Sequence, residues 1–425
     1  MEDHKSEFPR PIIWIFLALV VSLGFGEPYM RIYSFPLQFT EIIFVILAVS
    51  IAGLFAIRRK LVPFDPVYFF FGAYFFALAL SAIFSERPNQ SLVKLAGEAY
   101  LIGLGLLAFL LALSPADIRR LFGVWLAGST MVASIAVVTV AMFYIDRSSS
   151  WHLYFLHHYG SLPPGNYPRV DGTFIYPAML CNYLNVGIVF LLGSRRLEWI
   201  SGRTFWIVLI LHLIAAAFTV TPGLGGIFLA AGIWLAWEAA ERRQMPRAIL
   251  YGGLGTAAAI AFVIVSAFSV RPIATSPYTF DILGWRIDPT QRLLTWQGAF
   301  ETFLQNPVFG RGLDLGVASV RFLAPSGQNQ LLTEGHNVFL NVAGQSGLLG
   351  VATLVALSVF LFSRVRPLTG ANDEFYIIRR TLFVAFVTAF VYHGFTGSFE
   401  NARHLWVLFG MMAAMPYFCR ERSSN

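Results

Sequence analysis

Charged side chains are scarce in this sequence. Asp, Glu, Lys and Arg make up 12% of its 425 residues and hydrophobic residues make up 57%, whereas soluble domains contain about 25% charged residues. So much apolar surface cannot be hidden within one water-soluble core, which excludes a soluble globular protein and predicts a polytopic membrane protein. Cysteine is also scarce. Only Cys181 and Cys419 are present, far apart in apolar surroundings, and they do not indicate a disulfide framework.

Long apolar segments predict the fold class. A helix needs roughly 20 apolar residues to cross a hydrocarbon core of about 30 Å. We therefore predict an all-α polytopic membrane protein, with about 12 transmembrane helices in a single integral membrane domain over residues 1–425. The predicted segments are approximately 11–28, 38–57, 66–84, 93–113, 120–145, 173–193, 204–221, 224–240, 248–268, 337–363, 378–397 and 403–419.

Basic residues predict the topology of these helices. With the N-terminus in the cytoplasm, most of the 30 Lys and Arg fall in cytoplasmic turns, as the positive-inside rule requires. Both termini are then cytoplasmic, and two long loops, about 146–172 and 269–336, lie outside. Topology therefore accounts for most of the net charge of +7, so the sequence predicts membrane lipids and no nucleic acid as partners.

The second outer loop contains a predicted helix. Asp288 is a candidate cap, Pro289 suits the first helical position, and Gln291 suits a capping box. Asn306 and Pro307 end the pattern, so the helix has about 16 residues and is pressed against the bundle or the lipid surface. The residues on its apolar face are Leu293, Trp296, Phe300, Phe303 and Leu304.

His336 stands where this loop meets the next apolar segment. Its ordinary pKa, near ~6.5, suits a base close to neutral pH, although a lone interfacial histidine more often only forms a hydrogen bond at a helix start. Asn337 follows it directly, and Gly347 and Gly350 come later in a Gly-Leu-Leu-Gly sequence. We interpret these glycines as positions where another helix packs closely.

The other polar residues in the apolar segments and the first outer loop indicate a functional site less strongly than the His336 motif does. The histidines of the first outer loop have no nearby cysteine or clear acidic partner, which disfavours a metal site. Histidines within helices are predicted to be satisfied inside the bundle, and glutamates near outer helix ends are open to a functional or a hydrogen-bonding role. These residues are, in order, His152, His157 and His158; His212 and His393; and Glu41 and Glu98.

The His336 motif resembles the shared core of the O-antigen ligase and O-antigen polymerase superfamily of bacterial inner-membrane enzymes. That family has a histidine, then Asn, Ser or Gln, then nine residues and G-x-x-G. The similarity covers about residues 165–350. Family members also tend to have an Arg, a Trp, a Pro and a G-x-G sequence before the histidine, and an R-x-x-G-T-F segment that leads into a membrane helix. The matching residues are Arg292, Trp296, Pro307, Gly310 and Gly312 upstream, and Arg169, Gly172, Thr173, Phe174 and Pro177 in the segment.

The resemblance implies a GT-C-like architecture and a metal-independent glycosyl transfer that needs no cofactor. The donor would be a glycan on undecaprenyl pyrophosphate, and the acceptor a sugar hydroxyl on lipid A–core or on another lipid-linked glycan. The reaction would take place on the periplasmic face of the inner membrane. Ligase and polymerase activities both remain open, and a secondary transporter and a non-catalytic scaffold are the alternatives outside this family.

The resemblance also implies roles for individual residues. His336 would remove the proton from the attacking hydroxyl. Guanidinium groups match phosphate oxygens in a two-pronged geometry, so Arg292 and Arg169 are the main candidates for the pyrophosphate, with Arg311 and Arg321 behind them. Asn337, Gly347, Gly350 and Trp296 would support this motif.

One segment departs from the family pattern. Many members carry an arginine in a Ser-Arg-Gly segment at the start of the eighth helix. Residues 219–226 read Thr-Val-Thr-Pro-Gly-Leu-Gly-Gly and contain no arginine. Either another arginine substitutes for it, or main-chain N–H groups at this glycine-rich helix start bind the phosphate.

Overall fold

The computed structural model describes most of the chain and is largely helical. The described residues are 8–26, 30–32, 35–58, 64–112, 114–148, 151–159, 167–270, 280–282, 285–323, 329–366, 374–397, 399 and 402–420. Within them the α-helices are α1 Arg10–Ser22, α2 Phe39–Arg58, α3 Val67–Ile83, α4 Pro88–Leu111, α5 Pro115–Ile145, α6 Pro177–Arg196, α7 Gly202–Ala217, α8 Leu224–Glu241, α9 Met245–Ala267, α10 Gln291–Gln305, α11 Val338–Val365, α12 Glu374–Ala385 and α13 Arg403–Arg420.

A helix lies at each of the twelve predicted apolar segments, and α10 lies in the second long loop as predicted. Eight helical segments are long and apolar enough to cross a membrane, among the described residues. Helix α12 continues into a π-helical segment, Phe386–Tyr392, and the two together make one of these eight. The prediction of an all-α polytopic membrane protein is confirmed at this level.

Short antiparallel strands lie in connections that the sequence assigned to the outside. A 3₁₀ turn, Trp151–Tyr154, precedes the second pair of strands. The strands are β1 Met30–Ile32, β2 Phe35–Leu37, β3 Leu156–Tyr159, β4 Tyr167–Val170, β5 Phe268–Val270, β6 Phe280–Ile282, β7 Trp285–Pro289, β8 Val320–Leu323 and β9 Asn329–Leu332. Strand β1 pairs with β2, β3 with β4, β8 with β9, and β7 lies between β5 and β6.

Helices α6 and α13 form the centre of the bundle. Most of α6 is buried, and α13 is buried without interruption from Leu405 to Met415. Helices α2 and α9 lie at the periphery and expose large apolar side chains, such as Val49 and Val265. Exposed apolar side chains are stable in a membrane, because lipid tails solvate them as well as a protein interior does.

Helix α11 is broken at Gly347, where the backbone has φ +62°. The break frees main-chain groups, and the loop after α10 binds them. The N–H groups of Arg311 and Gly312 donate to the carbonyls of Gly344 and Gln345 at 2.9 and 3.0 Å, and the N–H of Leu348 donates to a loop carbonyl at 2.8 Å. The broken helix is tolerated because another segment satisfies its backbone.

The glycines of the His336 motif therefore have a different role from the predicted one. A methyl group at Gly347 would lie 2.3 Å from the Val308 carbonyl oxygen, and one at Gly310 would lie 2.2 Å from the Gln345 carbonyl carbon. The interpretation that a second helix packs on Gly347 is wrong, because the loop after α10 occupies that space. Gly350 follows one turn later and packs against Ser346 of its own helix.

Replacing Gly347 by alanine is expected to destabilise the protein by about 3 kcal/mol or more, because a left-handed backbone and a main-chain clash add together. The thermal unfolding midpoint of the purified protein in detergent measures this loss. Gly253→Ala in α9 is the matched control, since a methyl group there has no atom within 4 Å. Equal midpoints for both variants would contradict the assignment.

Candidate functional site

The turn that carries His336 is fixed on both sides. His336 has φ +46°, which is uncommon for a residue other than glycine. Before it, the N–H of Gly335 donates to Asn341 Oδ1 at 2.7 Å. After it, Asn337 caps α11, because its Oδ1 accepts from the N–H of Leu340 at 3.1 Å. These two asparagines hold the half-buried imidazole at the N-terminal end of α11.

Arg292 lies in the first turn of α10 and is half-buried. Its Nη1 donates to the carbonyl oxygen of Thr396, in the turn after the π-helical segment. That turn is closed by the N–H of Thr396, which donates to the His393 carbonyl at 2.8 Å. Arg292 therefore connects α10, the helix of the long loop, to the end of the eleventh predicted apolar segment, 378–397.

Arg169 lies in β4, far from Arg292 in the sequence, and is also half-buried. Its Nε donates to the carbonyl oxygen of Thr219 at 3.0 Å. The next residue in the strand, Val170, donates its N–H to the Phe218 carbonyl at 2.9 Å. Strand β4 is thus attached to the end of α7, and Arg169 lies beside the segment that leads into α8.

These arginines share an electrostatic environment with His336. Burial first, and then the positive charges of Arg292 and Arg169, lower the pKa of His336 from its ordinary 6.5 to about 4. The imidazole is therefore neutral at physiological pH and can accept a proton, while two fixed positive charges stand near it. Such a group suits a reaction in which a hydroxyl loses a proton and a leaving group gains negative charge.

The start of α8 forms a tightly packed wall next to Arg169. Methyl groups at Gly223 and Gly226 would lie 2.7 and 2.6 Å from ring atoms of His393. The N–H groups of Leu224, Gly225 and Gly226 each donate to a carbonyl three residues earlier, at 3.2, 3.1 and 2.8 Å. These three N–H groups are therefore used within the turn.

The remaining sequence candidates lie elsewhere or have other contacts. Arg311 Nε forms an ion pair with Glu86 at 2.9 Å, and its Nη1 donates to the Gly316 carbonyl at 3.0 Å. Arg321 is exposed in β8, and no described contact links either arginine to His336. Trp296 lies one turn after Arg292, and its indole N–H is buried with no hydrogen-bond acceptor among the described residues.

Other polar residues contribute to the packing of the bundle. His212 bonds to the Val208 carbonyl at 2.8 Å and to Ser129 at 2.9 Å, which confirms its prediction. His393 differs, because neither ring nitrogen forms a hydrogen bond of ordinary geometry with any described residue. Glu41 pairs with Arg403 at 2.6 Å and Glu98 with Lys94 at 3.4 Å. The side chains of His152, His157 and His158 lie outside the described residues.

Sequence reasoning missed the part of the site that follows the π-helical segment. Thr396 contributes the main-chain carbonyl that accepts the hydrogen bond from Arg292, and a sequence motif of side chains cannot indicate such a contact. Tyr392, whose hydroxyl donates to the Pro222 carbonyl at 2.8 Å, fastens the same segment to the start of α8. The π-helical turn is the structural signal, since such turns occur frequently at functional sites, but its hydrogen-bond pattern is not encoded in a short motif.

Comparison with protein-family models and with curated proteins finds no match to the chain.

Proposed function

We propose that this protein is a membrane glycosyltransferase of the O-antigen ligase type. It would transfer a glycan from an undecaprenyl-pyrophosphate carrier to an acceptor sugar hydroxyl. The observation that carries the proposal is the convergence of His336, Arg292 and Arg169, which come from three separate parts of the chain. The proposal includes twelve membrane crossings, a GT-C-like arrangement and a site that faces the periplasm of a bacterial inner membrane.

In the proposed reaction the acceptor oxygen forms a bond to the anomeric carbon of the donor glycan, and the bond from that carbon to the pyrophosphate oxygen breaks. Neutral His336 takes the proton of the acceptor hydroxyl. Arg292 and Arg169 stabilise the negative charge that develops on the released pyrophosphate, since preorganised donors act most strongly where charge develops. The carrier leaves as undecaprenyl pyrophosphate, so atoms and charge balance.

The position of Arg169 supports one of the two explanations for the arginine that is missing from the start of α8. Arg169 binds the carbonyl of Thr219, in the segment where the family arginine would stand. The N–H groups of Leu224, Gly225 and Gly226 are already bonded within the turn. We therefore propose that Arg169 takes the place of that arginine, and that the glycines serve close packing instead.

A secondary transporter remains the second candidate, because α11 is a broken helix in a candidate span, and transport sites are built on broken helices. In this protein, however, Arg311, Gly312 and Pro307 bind the main-chain groups freed at the break. A transport site needs such groups for its substrate. This contact therefore favours the transferase.

Reconstitution tests the proposed function. Proteoliposomes that contain the protein and an undecaprenyl-pyrophosphate-linked glycan are mixed with lipid A–core, and the products are separated by mass. New glycosylated lipid A–core supports a ligase, and longer lipid-linked glycan without that acceptor supports a polymerase. Accumulation of intact glycan in the vesicle lumen, with no new glycosidic bond, would instead identify a transporter.

The pH dependence of transfer is expected to reflect the lowered pKa of His336. Because kcat/KM depends on the free enzyme, it should stay level down to about pH 5 and fall only as His336 becomes protonated near its pKa of about 4. Bound pyrophosphate neutralises the two arginines and raises the pKa of His336, so the acid limb of kcat should lie at higher pH. An acid limb of kcat/KM near ~6.5, the ordinary value for histidine, would contradict the assignment.

A further inference from the structure

Helix α10 presents three different faces. Thr295 and Ala299, one turn apart, are fully buried. A methyl group at Gly335, in the turn before His336, would lie 3.2 Å from the Ala299 side chain. Small residues therefore attach this helix to the bundle, whereas the sequence left open whether the helix is pressed against the bundle or the lipid surface.

Two of the five residues on the predicted apolar face of α10 are exposed, and the other three are half-buried. Phe300 is 50% exposed and Leu304 is 59% exposed, and Val308, just after the helix, is 51% exposed. At about 100° per residue Phe300 and Leu304 share one flank of the helix, which ends at Gln305, before Val308. The other exposed flank is polar and contains Glu301 and Gln305. Around its axis, α10 therefore has one face buried against the protein, one exposed apolar flank and one exposed polar flank.

The apolar flank is continuous with the outer surface of the membrane helices. Leu348 is 60% exposed on the candidate span α11, and its N–H donates to the Pro307 carbonyl at 2.8 Å. Phe84, at the end of α3, is 59% exposed and stacks on Phe309 with ring centres 4.5 Å apart. The exposed apolar side of α10 is therefore continuous with the exposed apolar surfaces of α11 and α3.

We propose that α10 is an interfacial helix whose apolar flank inserts between the headgroups and acyl chains of the adjacent leaflet. An interfacial helix with apolar residues on one side and polar residues on the other lies in the membrane plane at this depth. Arg292 stands between the buried face and the apolar flank, and is therefore held where the phosphates of a lipid carrier lie. The proposal concerns the fold, and it stands whether or not glycan transfer is found.

Lipid is favoured over a second copy of the chain as the occupant of this flank. A stable protein interface buries roughly 1,200 Å² or more, whereas the exposed flank consists of Phe300 and Leu304, with Val308 just after the helix. The polar flank next to it needs contact with water, and a second copy packed against the apolar flank does not explain why the two flanks differ. A membrane boundary supplies acyl chains on one side of the helix and water on the other.

Nitroxide labels at Leu304→Cys and Gln305→Cys test the proposal in phosphatidylcholine–phosphatidylglycerol nanodiscs, because these exposed positions differ by about 100° around the helix. The background is Cys419→Ser, because the other cysteine, Cys181, is fully buried. We expect the label at Leu304 to collide severalfold more often with oxygen than with a water-soluble nickel chelate, and the label at Gln305 to show the reverse. A label at Val355 of α11 gives the reference value for a lipid-facing site.

Equal collision rates with the nickel chelate at both positions would overturn the proposal, because both flanks would then face water. Dipolar broadening between labels at Leu304, lost when protomers are diluted with unlabelled protein, would identify a second copy instead. If Leu304→Cys fails to fold, Phe300→Cys reports on the same flank. None of these readouts requires an active enzyme, so a failed transfer assay and a failed interfacial assignment remain distinguishable.

Discussion

Replacing His336 by alanine is expected to reduce glycan transfer by a factor of about 10² to 10⁴, the usual contribution of a general base. The imidazole is neutral at physiological pH because burial and two nearby arginines lower its pKa. Alanine offers no proton acceptor, and the acceptor hydroxyl would have to lose its proton to water. The measurement is the initial rate in proteoliposomes at saturating lipid-linked donor.

A second substitution separates chemistry from folding. His336 has a left-handed backbone, which asparagine adopts more readily than most residues. His336→Asn should therefore keep the unfolding midpoint of the wild-type protein while losing activity as His336→Ala does. Asn337→Ala is the structural control. Loss of its cap on α11 costs about 1 kcal/mol of stability, with a smaller effect on the rate. Transfer at the wild-type rate by His336→Asn would remove the base assignment.

The helices were predictable because their signal is local. Each apolar segment is long and bounded by polar residues, and a helix lies at each predicted position. The cap of α10 was predicted wrongly for a tertiary reason. Asp288 and Pro289 match a helix start, but they form the end of β7, where Asp288 pairs with Ser269 of β5. Thr290 precedes the helix instead, and its hydroxyl donates to the Ser266 carbonyl at 2.7 Å.

The site was only partly predictable. The resemblance supplied His336, Arg292 and Arg169 as candidates, but a sequence does not tell which distant residues meet. The structure brings these three together and leaves Arg311 with Glu86. Gly347 was visible as part of a motif, yet its role depends on a loop that inserts into a broken helix. Such contacts arise from the path of the chain in space, which periodicity does not encode.

Neutralising the arginines should produce the second large loss of activity. Arg292→Gln is expected to lower kcat/KM by a factor of about 10² to 10³, as removal of one donor to a developing negative charge does. Arg169→Gln should act in the same way. Arg292→Lys should recover only part of the loss, because an ammonium keeps the charge and loses the two-pronged geometry. Arg147→Gln, an exposed arginine after α5, is the matched control for charge.

The same variants test whether the arginines act on His336 as well as on the pyrophosphate. Each guanidinium helps to lower the pKa of His336, so either substitution should move the acid limb of kcat/KM to higher pH. If an arginine had only a structural role, its substitution would change the rate and leave the acid limb of kcat/KM at the same pH. In the double variant the two losses should not add, because residues that share one charge environment are coupled. Additive losses with an unchanged acid limb would show that Arg292 and Arg169 do not act together.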